Sequence, residues 1–336
     1  MKSEYILLNA ERQVSLTTFI QPVGGDYGSI RRRPAVLVIP GGGYHFCSDR
    51  EAEPIAFAYL KAGYQAFVLR YSLNEQAVWP NPLSDYEQAM ALIRQNAEEW
   101  HVAEDRIAVI GFSAGGHLAA CAATMSVHRP NAAILGYPVI DGACARDYLP
   151  SAPDVIEHVD GNTCPCFVFA TRTDNLVPVS NAVHLVAALC EKDVAFESHI
   201  YSNGHHGLST GDASIEGGAF CERYPRWVED SISWLSDVLG GVTPGGLAAP
   251  RFGAKVNGNR EKTLNLDCTL ACLMASEPAT ALLDTALPGW RENTPSAAVG
   301  AITLRDGLQY RGMDPEAIAK LEAALRAIPN PDGKDE

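Results

Sequence analysis

Ile107-Ala-Val-Ile-Gly-Phe-Ser-Ala-Gly-Gly-His117 is an apolar, β-like run that breaks at Gly111-Phe112-Ser113-Ala114-Gly115 and continues as a helix of small residues. The pattern reads as a nucleophile elbow, a tight strand-to-helix turn with serine at its tip and glycines two residues either side that let the backbones approach. Ser113 is the candidate nucleophile. A lone G-x-S-x-G occurs by chance in many proteins, so its meaning depends on a strand before it, a helix after it, and an acid and a histidine later in the chain.

Working outward, residues 35–39 (Ala-Val-Leu-Val-Ile) form a continuous apolar run of the kind found in strands buried on both faces, ending at Pro40-Gly-Gly-Gly43-Tyr44. The spacing predicts a helix over 50–62 and a strand over 65–71. A helix over 84–100 follows, with Ser84 as its N-cap and Tyr86, Met90, Ile93 and Ala97 on one face. Beyond it the alternation repeats: strand 107–112, helix 114–126, strand 132–137, strand 166–171, helix 179–191, strand 195–201 and helix 220–239. Two short β-like runs at 4–9 and 14–20 read as an edge hairpin. The expectation is an α/β fold with a mostly parallel eight-stranded sheet flanked by helices, its elbow after the fifth strand. Reactive groups collect at the carboxyl ends of strands in such sheets, where Gly41 to Gly43, Ser113, Asp174 and His206 all fall.

After residue 240 the composition changes. Residues 241–254 read as a Gly/Pro-rich linker between a catalytic domain over 1–240 and a small helical domain over 255–330, with 331–336 as a frayed tail. Amphipathic helices are expected over 269–287 and 315–328, the second with Ile318, Leu321 and Leu325 on one face. The tail domain is a candidate self-association or glycan-docking module, so a homo-oligomer is among the expectations.

The 336 residues are 47% hydrophobic and 20% charged, the profile of a globular chain with material for a sizeable core. A net charge of −14 opposes polyanion binding, so no nucleic-acid partner is expected. The first residues are too charged for a signal peptide and no later segment approaches a membrane span, which makes the cytoplasm the expected location. Nine scattered cysteines suit reduced thiols better than a disulfide framework, and Cys164-x-Cys166 and Cys268-x-x-x-Cys272 lack the four-ligand zinc pattern. No metal or cofactor is expected.

A serine hydroxyl is a weak nucleophile until a histidine can take its proton, and a carboxylate must hold that histidine in one tautomer. Asp174 follows strand 166–171 in a loop at the sheet's carboxyl edge, with Asp141 as its rival. The base is one of His205 and His206 in Tyr201-Ser-Asn-Gly-His-His-Gly207. His206 is preferred because the glycine after it leaves room for substrate. For an oxyanion, the Ala114 N–H opening the helix is one donor and the Gly41-Gly42-Gly43 amides supply another. Tyr44, His45, Phe46 and Trp79 are candidates to line the pocket, and the short stretch 140–164 leaves little room for a lid.

These motifs together resemble the serine α/β-hydrolases, in particular the acetyl-xylan and feruloyl esterase-like branch that acts on carbohydrates. The resemblance covers residues 33–240. It rests on Pro40-Gly-Gly-Gly-Tyr44, Arg50-Glu-Ala-Glu-Pro54 with Gly63-Tyr64, Gly111-Phe-Ser-Ala-Gly-Gly-His-Leu118, Asp174-x-x-Val177-Pro178 and Gly204-x-His206-Gly207. It implies Ser113 as nucleophile, Asp174 as acid, His206 as base, and Gly42, Gly43 and Ala114 as oxyanion donors. Pro40 departs from the histidine that many lipases and esterases have before the glycines. The tail looks like an extension found on some bacterial esterases and glycoside-active enzymes. The implied activity is a serine carboxylesterase removing acetyl or similar small acyl groups from sugars or oligosaccharides through an acyl-enzyme. An amidase or peptidase of the prolyl-peptidase or arylformamidase kind would use the same triad, and a non-catalytic binding protein on a hydrolase scaffold is the remaining reading.

Overall fold

A computed structural model describes residues 1–212, 220–252, 256–292, 299–331 and 333. It divides into two compact units, Met1–Ala254 and Lys255–Glu336.

The first unit is built on the expected eight-stranded sheet. Strands β1 (Lys2–Asn9) and β2 (Val14–Ile20) form the antiparallel edge hairpin. Then come β3 (Arg33–Ile39), α1 (Glu53–Lys61), β4 (Gln65–Arg70), α2 (Asn81–Gln95), β5 (Val102–Phe112), α3 (Ser113–Met125) and β6 (Ala132–Gly136). After them follow α4 (Gly142–Tyr148), β7 (Cys166–Thr171), α5 (Ser180–Glu191), β8 (Phe196–Tyr201) and α6 (Trp227–Leu235). The strand order is β1-β2-β4-β3-β5-β6-β7-β8, parallel from β4 through to β8. Every residue of β3 is buried, which explains why its sequence shows no alternation.

Several boundaries differ from the periodicity for local reasons. Helix α2 starts three residues earlier than expected, because Pro82 needs no N–H partner in a first turn. Ser84 is therefore inside the helix, its N–H bonded to Pro80 O at 2.9 Å, and is not the cap. The same helix ends at Gln95 rather than Trp100. Strand β5 begins earlier, at Val102, with a register irregularity between the Arg33/Val102 and Ala35/Ile107 pairs that accommodates exposed Glu104 and Asp105. Helix α6 begins only at Trp227, after a 3-10 turn containing Pro225. Within 241–254, read as linker, two short strands β9 (Val242–Thr243) and β10 (Gly246–Leu247) pair, and Arg106 Nη1 donates to Ala248 O at 2.6 Å.

The second unit has a core of its own, including Leu264, Leu266, Leu273, Leu283, Leu308, Leu321 and Leu325. The single helix expected over 269–287 is two, α7 (Leu270–Met274) and α8 (Glu277–Ala286). Thr269 caps the first by accepting from Cys272 N, and Ser276 caps the second by accepting from Ala279 N, with Pro278 in the new first turn. Helix α9 (Leu304–Arg311) has no counterpart in the sequence reading, since Leu304 and Leu308 are too sparse an apolar stripe to announce it. Helix α10 (Pro315–Arg326), capped by Asp314, buries Leu321 and Leu325. The tail expected to fray, 331–336, lies largely outside the described residues. Among the described residues no helix is long and apolar enough to cross a membrane.

Candidate active site

The turn between β5 and α3 places Ser113 at φ +53°, a left-handed conformation that a side chain adopts only under local constraint. The flanking glycines show what the constraint is. A Cβ on Gly111 would lie 2.3 Å from Gly115 O, and one on Gly115 would lie 2.3 Å from the carbonyl oxygens of both Ile39 and Pro40. The helix is thus pressed onto the end of β3, and only hydrogen at both positions permits it.

Two loops deliver the partners of Ser113. Asp174, after β7, has its side chain almost wholly buried. Its Oδ1 accepts from Leu176 N and Val177 N, both at 2.9 Å, and its Oδ2 lies 2.8 Å from His206 Nδ1. His206 follows β8, and its Nε2 lies 2.8 Å from Ser113 Oγ. With Nδ1 facing a carboxylate, Nδ1 carries the proton and Nε2 accepts from the serine hydroxyl. The two loops are stitched together at Gly204, whose carbonyl accepts from Thr171 Oγ1 at 2.8 Å and from Thr173 Oγ1 at 3.0 Å.

The alternatives left open by the sequence separate here. His205 turns its Nδ1 to the His206 carbonyl, 2.8 Å away, and Asp141 instead meets His184 Nδ1 at 2.9 Å. Neither reaches Ser113 among the contacts of the described residues.

The glycine turn after β3 carries Gly42 at φ +131° and Gly43 at φ +62°. Gly41 N–H donates to Glu51 Oε2 at 2.9 Å, while the N–H groups of Gly42 and Gly43 have no acceptor among the described residues. Ala114 N–H lies in the first turn of α3, where helix geometry supplies no acceptor. These three amides are therefore available to a developing negative charge.

A cavity of about 280 Å³ opens over Ser113 and His206. Gly42, Gly43, His45 and Phe46 line it, together with Arg50, Glu51, Tyr148 and Leu176, none of which the sequence placed in the pocket. Tyr44 and Trp79, read as pocket candidates, do not line it. Tyr44, at φ +63°, turns back into the core with its hydroxyl 2.8 Å from His117 Nδ1, and the Trp79 ring meets the His117 ring edge-on. His117 is fully buried on α3. Its Nε2 faces Pro153 O at 3.1 Å, and burial pulls its pKa down to about 4. Glu51 is buried against Tyr137, and burial raises its carboxyl above the usual range.

The fold has counterparts among known proteins. An α/β-hydrolase enzyme from a Medee basin deep-sea metagenome library is 43% identical, with a TM-score of 0.66 over 70% of this chain and 97% of its own. The chain belongs to the α/β-hydrolase family. Within this α/β-hydrolase, the family described as BD-FAE matches residues 28–146 and the prolyl oligopeptidase family matches residues 145–228. An endo-1,4-β-xylanase B of Butyrivibrio fibrisolvens is 32% identical over 53% of this chain and 33% of its own length. An acetylxylan esterase of Xylanibacter ruminicola is 27% identical over 61% of this chain and 45% of its own length. This α/β-hydrolase chain thus spans only a third to a half of these curated relatives.

Proposed function

We propose that this α/β-hydrolase is a serine carboxylesterase that removes acetyl or similarly small acyl groups from sugars or oligosaccharides. The observation that carries the reading is the unbroken hydrogen-bonded chain Asp174–His206–Ser113 at the floor of the cavity. Ser113 Oγ attacks the ester carbonyl carbon while His206 Nε2 takes its proton, and Asp174 stabilises the imidazolium that forms. The carbonyl oxygen becomes an oxyanion facing the amides of Gly42, Gly43 and Ala114. As the tetrahedral adduct collapses, the carbon–oxygen bond to the alcohol breaks and His206 returns the proton to the departing oxygen. Water then attacks the acyl carbon and gives its proton to His206, and as the bond to Ser113 Oγ breaks His206 returns that proton to the serine oxygen and the acid is released.

A small acyl group is supported by the close approach of the glycine turn to the elbow, where a Cβ on Gly41 would lie 3.0 Å from Ser113 Cβ. Above it, Phe46 and Leu176 are both more than half exposed at the cavity rim, leaving an open apolar face for the alcohol portion. An apolar rim suits the flat face of a sugar ring or an aryl group. The acetylxylan esterase and the xylanase among the relatives are consistent with a carbohydrate ester.

The match of 145–228 to the prolyl oligopeptidase family favours one other reading, an amidase or peptidase using the same three residues. A panel of acetylated xylo-oligosaccharides, feruloyl esters and aminoacyl-anilides, run with wild type and Ser113→Ala, separates the two. Release of acetate by wild type alone supports the esterase. Cleavage of anilides without acetyl esters overturns it in favour of the amidase.

A further inference from the structure

Glu51 is a carboxylate almost completely buried beside the reaction centre, and nothing in the triad chemistry uses it. Its Oε2 accepts from Gly41 N at 2.9 Å and its Oε1 accepts from Tyr137 Oη at 2.6 Å. Gly41 is the first glycine of the oxyanion turn, and its carbonyl accepts from Ser48 N at 3.0 Å, so the turn is closed on both sides of that residue. A Cβ on Gly41 would lie 2.7 Å from Glu51 Oε2 and from Phe112 O, and 3.0 Å from Ser113 Cβ. The carboxylate and the elbow therefore grip the same backbone position from two sides.

The other end of the connection reaches the histidine. Tyr137 directly follows β6 at φ +35°, and its hydroxyl accepts from Ser209 N at 3.0 Å while donating to Glu51. Ser209 lies three residues after His206, and its carbonyl accepts from Tyr224 Oη and Trp227 Nε1. The Tyr137 ring also meets the His206 ring edge-on, with centroids 5.0 Å apart. One carboxylate thus ties together segments far apart in sequence that must agree in position for the reaction to occur.

We propose that Glu51 is a positioning residue of the esterase centre, setting the oxyanion turn through Gly41 and the His206 loop through Tyr137 and Ser209 about the same carbonyl. The proposal rests on the serine-esterase reading. A carboxylate is suited to the task because it is acceptor-only and offers one oxygen to each of the two donors. A glutamine offers one acceptor oxygen, and its amide must turn toward Tyr137, whose hydroxyl then loses the group it donates to. An alanine leaves both donors without a partner in a buried place.

The test is steady-state hydrolysis of p-nitrophenyl acetate by the full chain carrying Glu51→Ala, Glu51→Gln or Tyr137→Phe, with circular dichroism giving the folded fraction. Misplaced oxyanion donors act on the transition state, and loss of one such donor costs roughly a hundred- to thousand-fold in kcat. Glu51→Ala should lower kcat about ten- to hundred-fold with KM within about threefold. Glu51→Gln should fall between it and wild type. Glu51→Gln combined with Tyr137→Phe should lose less than the product of the single effects, because the two share one connection. If Glu51→Ala does not fold, the other two variants decide. Values of kcat within twofold of wild type for Glu51→Gln and Tyr137→Phe, or a loss that matches the unfolded fraction alone, would overturn the proposal. Ser113→Ala run beside them keeps the two ideas apart. An inactive Ser113→Ala with fully active Glu51 variants removes only the role of Glu51, whereas an active Ser113→Ala removes the esterase reading and this proposal with it.

Discussion

Tyr44 Oη donates to His117 Nδ1 across 2.8 Å, joining the residue after the glycine turn that follows β3 to the helix that begins with Ser113. The tautomer is fixed by the other ring nitrogen, since Pro153 O can only accept and Nε2 must therefore carry the proton. The bond is buried from end to end, so neither partner can turn to water if it is cut. Tyr44→Phe leaves a buried imidazole nitrogen with only the weak Cys121 thiol, 3.9 Å away, as a donor, and the expected loss is about 1–3 kcal/mol of stability. Denaturant unfolding of the variant beside wild type checks the value, and a change below a few tenths would contradict it.

The same histidine gives a pH dependence of defined sign. Its pKa of about 4 in the folded chain lies below the ordinary histidine value because burial penalises the charged ring. The unfolded chain therefore binds the extra proton first as pH falls. His117 contributes its full share of stability above about pH 6.5, and that share is lost as pH drops through 4. The melting temperature of wild type should fall more steeply between these limits than that of His117→Gln, whose side chain does not titrate there. Parallel slopes would show that His117 is not buried as a neutral ring.

Asp174 and Asp141 were both open as the triad acid from sequence, and they now make opposite predictions. Asp174 holds His206, whereas Asp141 holds His184, which is more than half exposed. Asp174→Asn should lower kcat about 10³- to 10⁴-fold through the wrong histidine tautomer. Asp141→Asn should leave kcat within a few-fold. The reversed pattern in p-nitrophenyl acetate hydrolysis would move the acid to Asp141.

Gly42 cannot carry a side chain where it stands, because a Cβ would come within 2.0 Å of Phe46 O and the φ of +131° disfavours any L residue. Gly42→Ala must shift the turn, and with it the amides of Gly42 and Gly43. A loss in kcat of about 10²- to 10³-fold is expected, with KM little changed. Kinetics on the folded variant decide this, and undiminished kcat would place the oxyanion donors elsewhere.

Phe46 and Leu176 stand at the cavity rim with much of their surface in water, so trimming them costs little stability. Phe46→Ala and Leu176→Ala should raise KM for bulky aryl acetates several-fold while leaving the melting temperature within a degree or two. Unchanged KM for every acetate tested would mean that the alcohol does not rest on this rim.

What the sequence revealed about this site divides along the distance between partners. The elbow was legible because its strand, turn and helix are contiguous and the glycine spacing is itself the steric requirement. Asp174 and His206 were legible because strand ends fix where loop residues emerge. The role of Glu51 was not, because it lies in Gly41 ten residues away and in Tyr137 eighty-six residues away, and Arg50-Glu-Ala-Glu-Pro54 read as a helix start and a motif of the resemblance with no role for the glutamate. Tyr44 misled for a related reason. Its place after three glycines suggested the pocket, but a positive φ turns the side chain inward to His117. Helices α7 and α8 were merged because the capping role of Ser276 is invisible to an apolar stripe that continues across it.

The central claim is that Ser113 is the nucleophile of an ester hydrolase, and the most direct measurement is p-nitrophenyl acetate hydrolysis by wild type and Ser113→Ala of equal folded fraction. Removal of a nucleophile that acts as a unit with its base costs on the order of 10⁶-fold in kcat, so the account predicts turnover by wild type and none above background by the variant. Equal turnover by both proteins would contradict it.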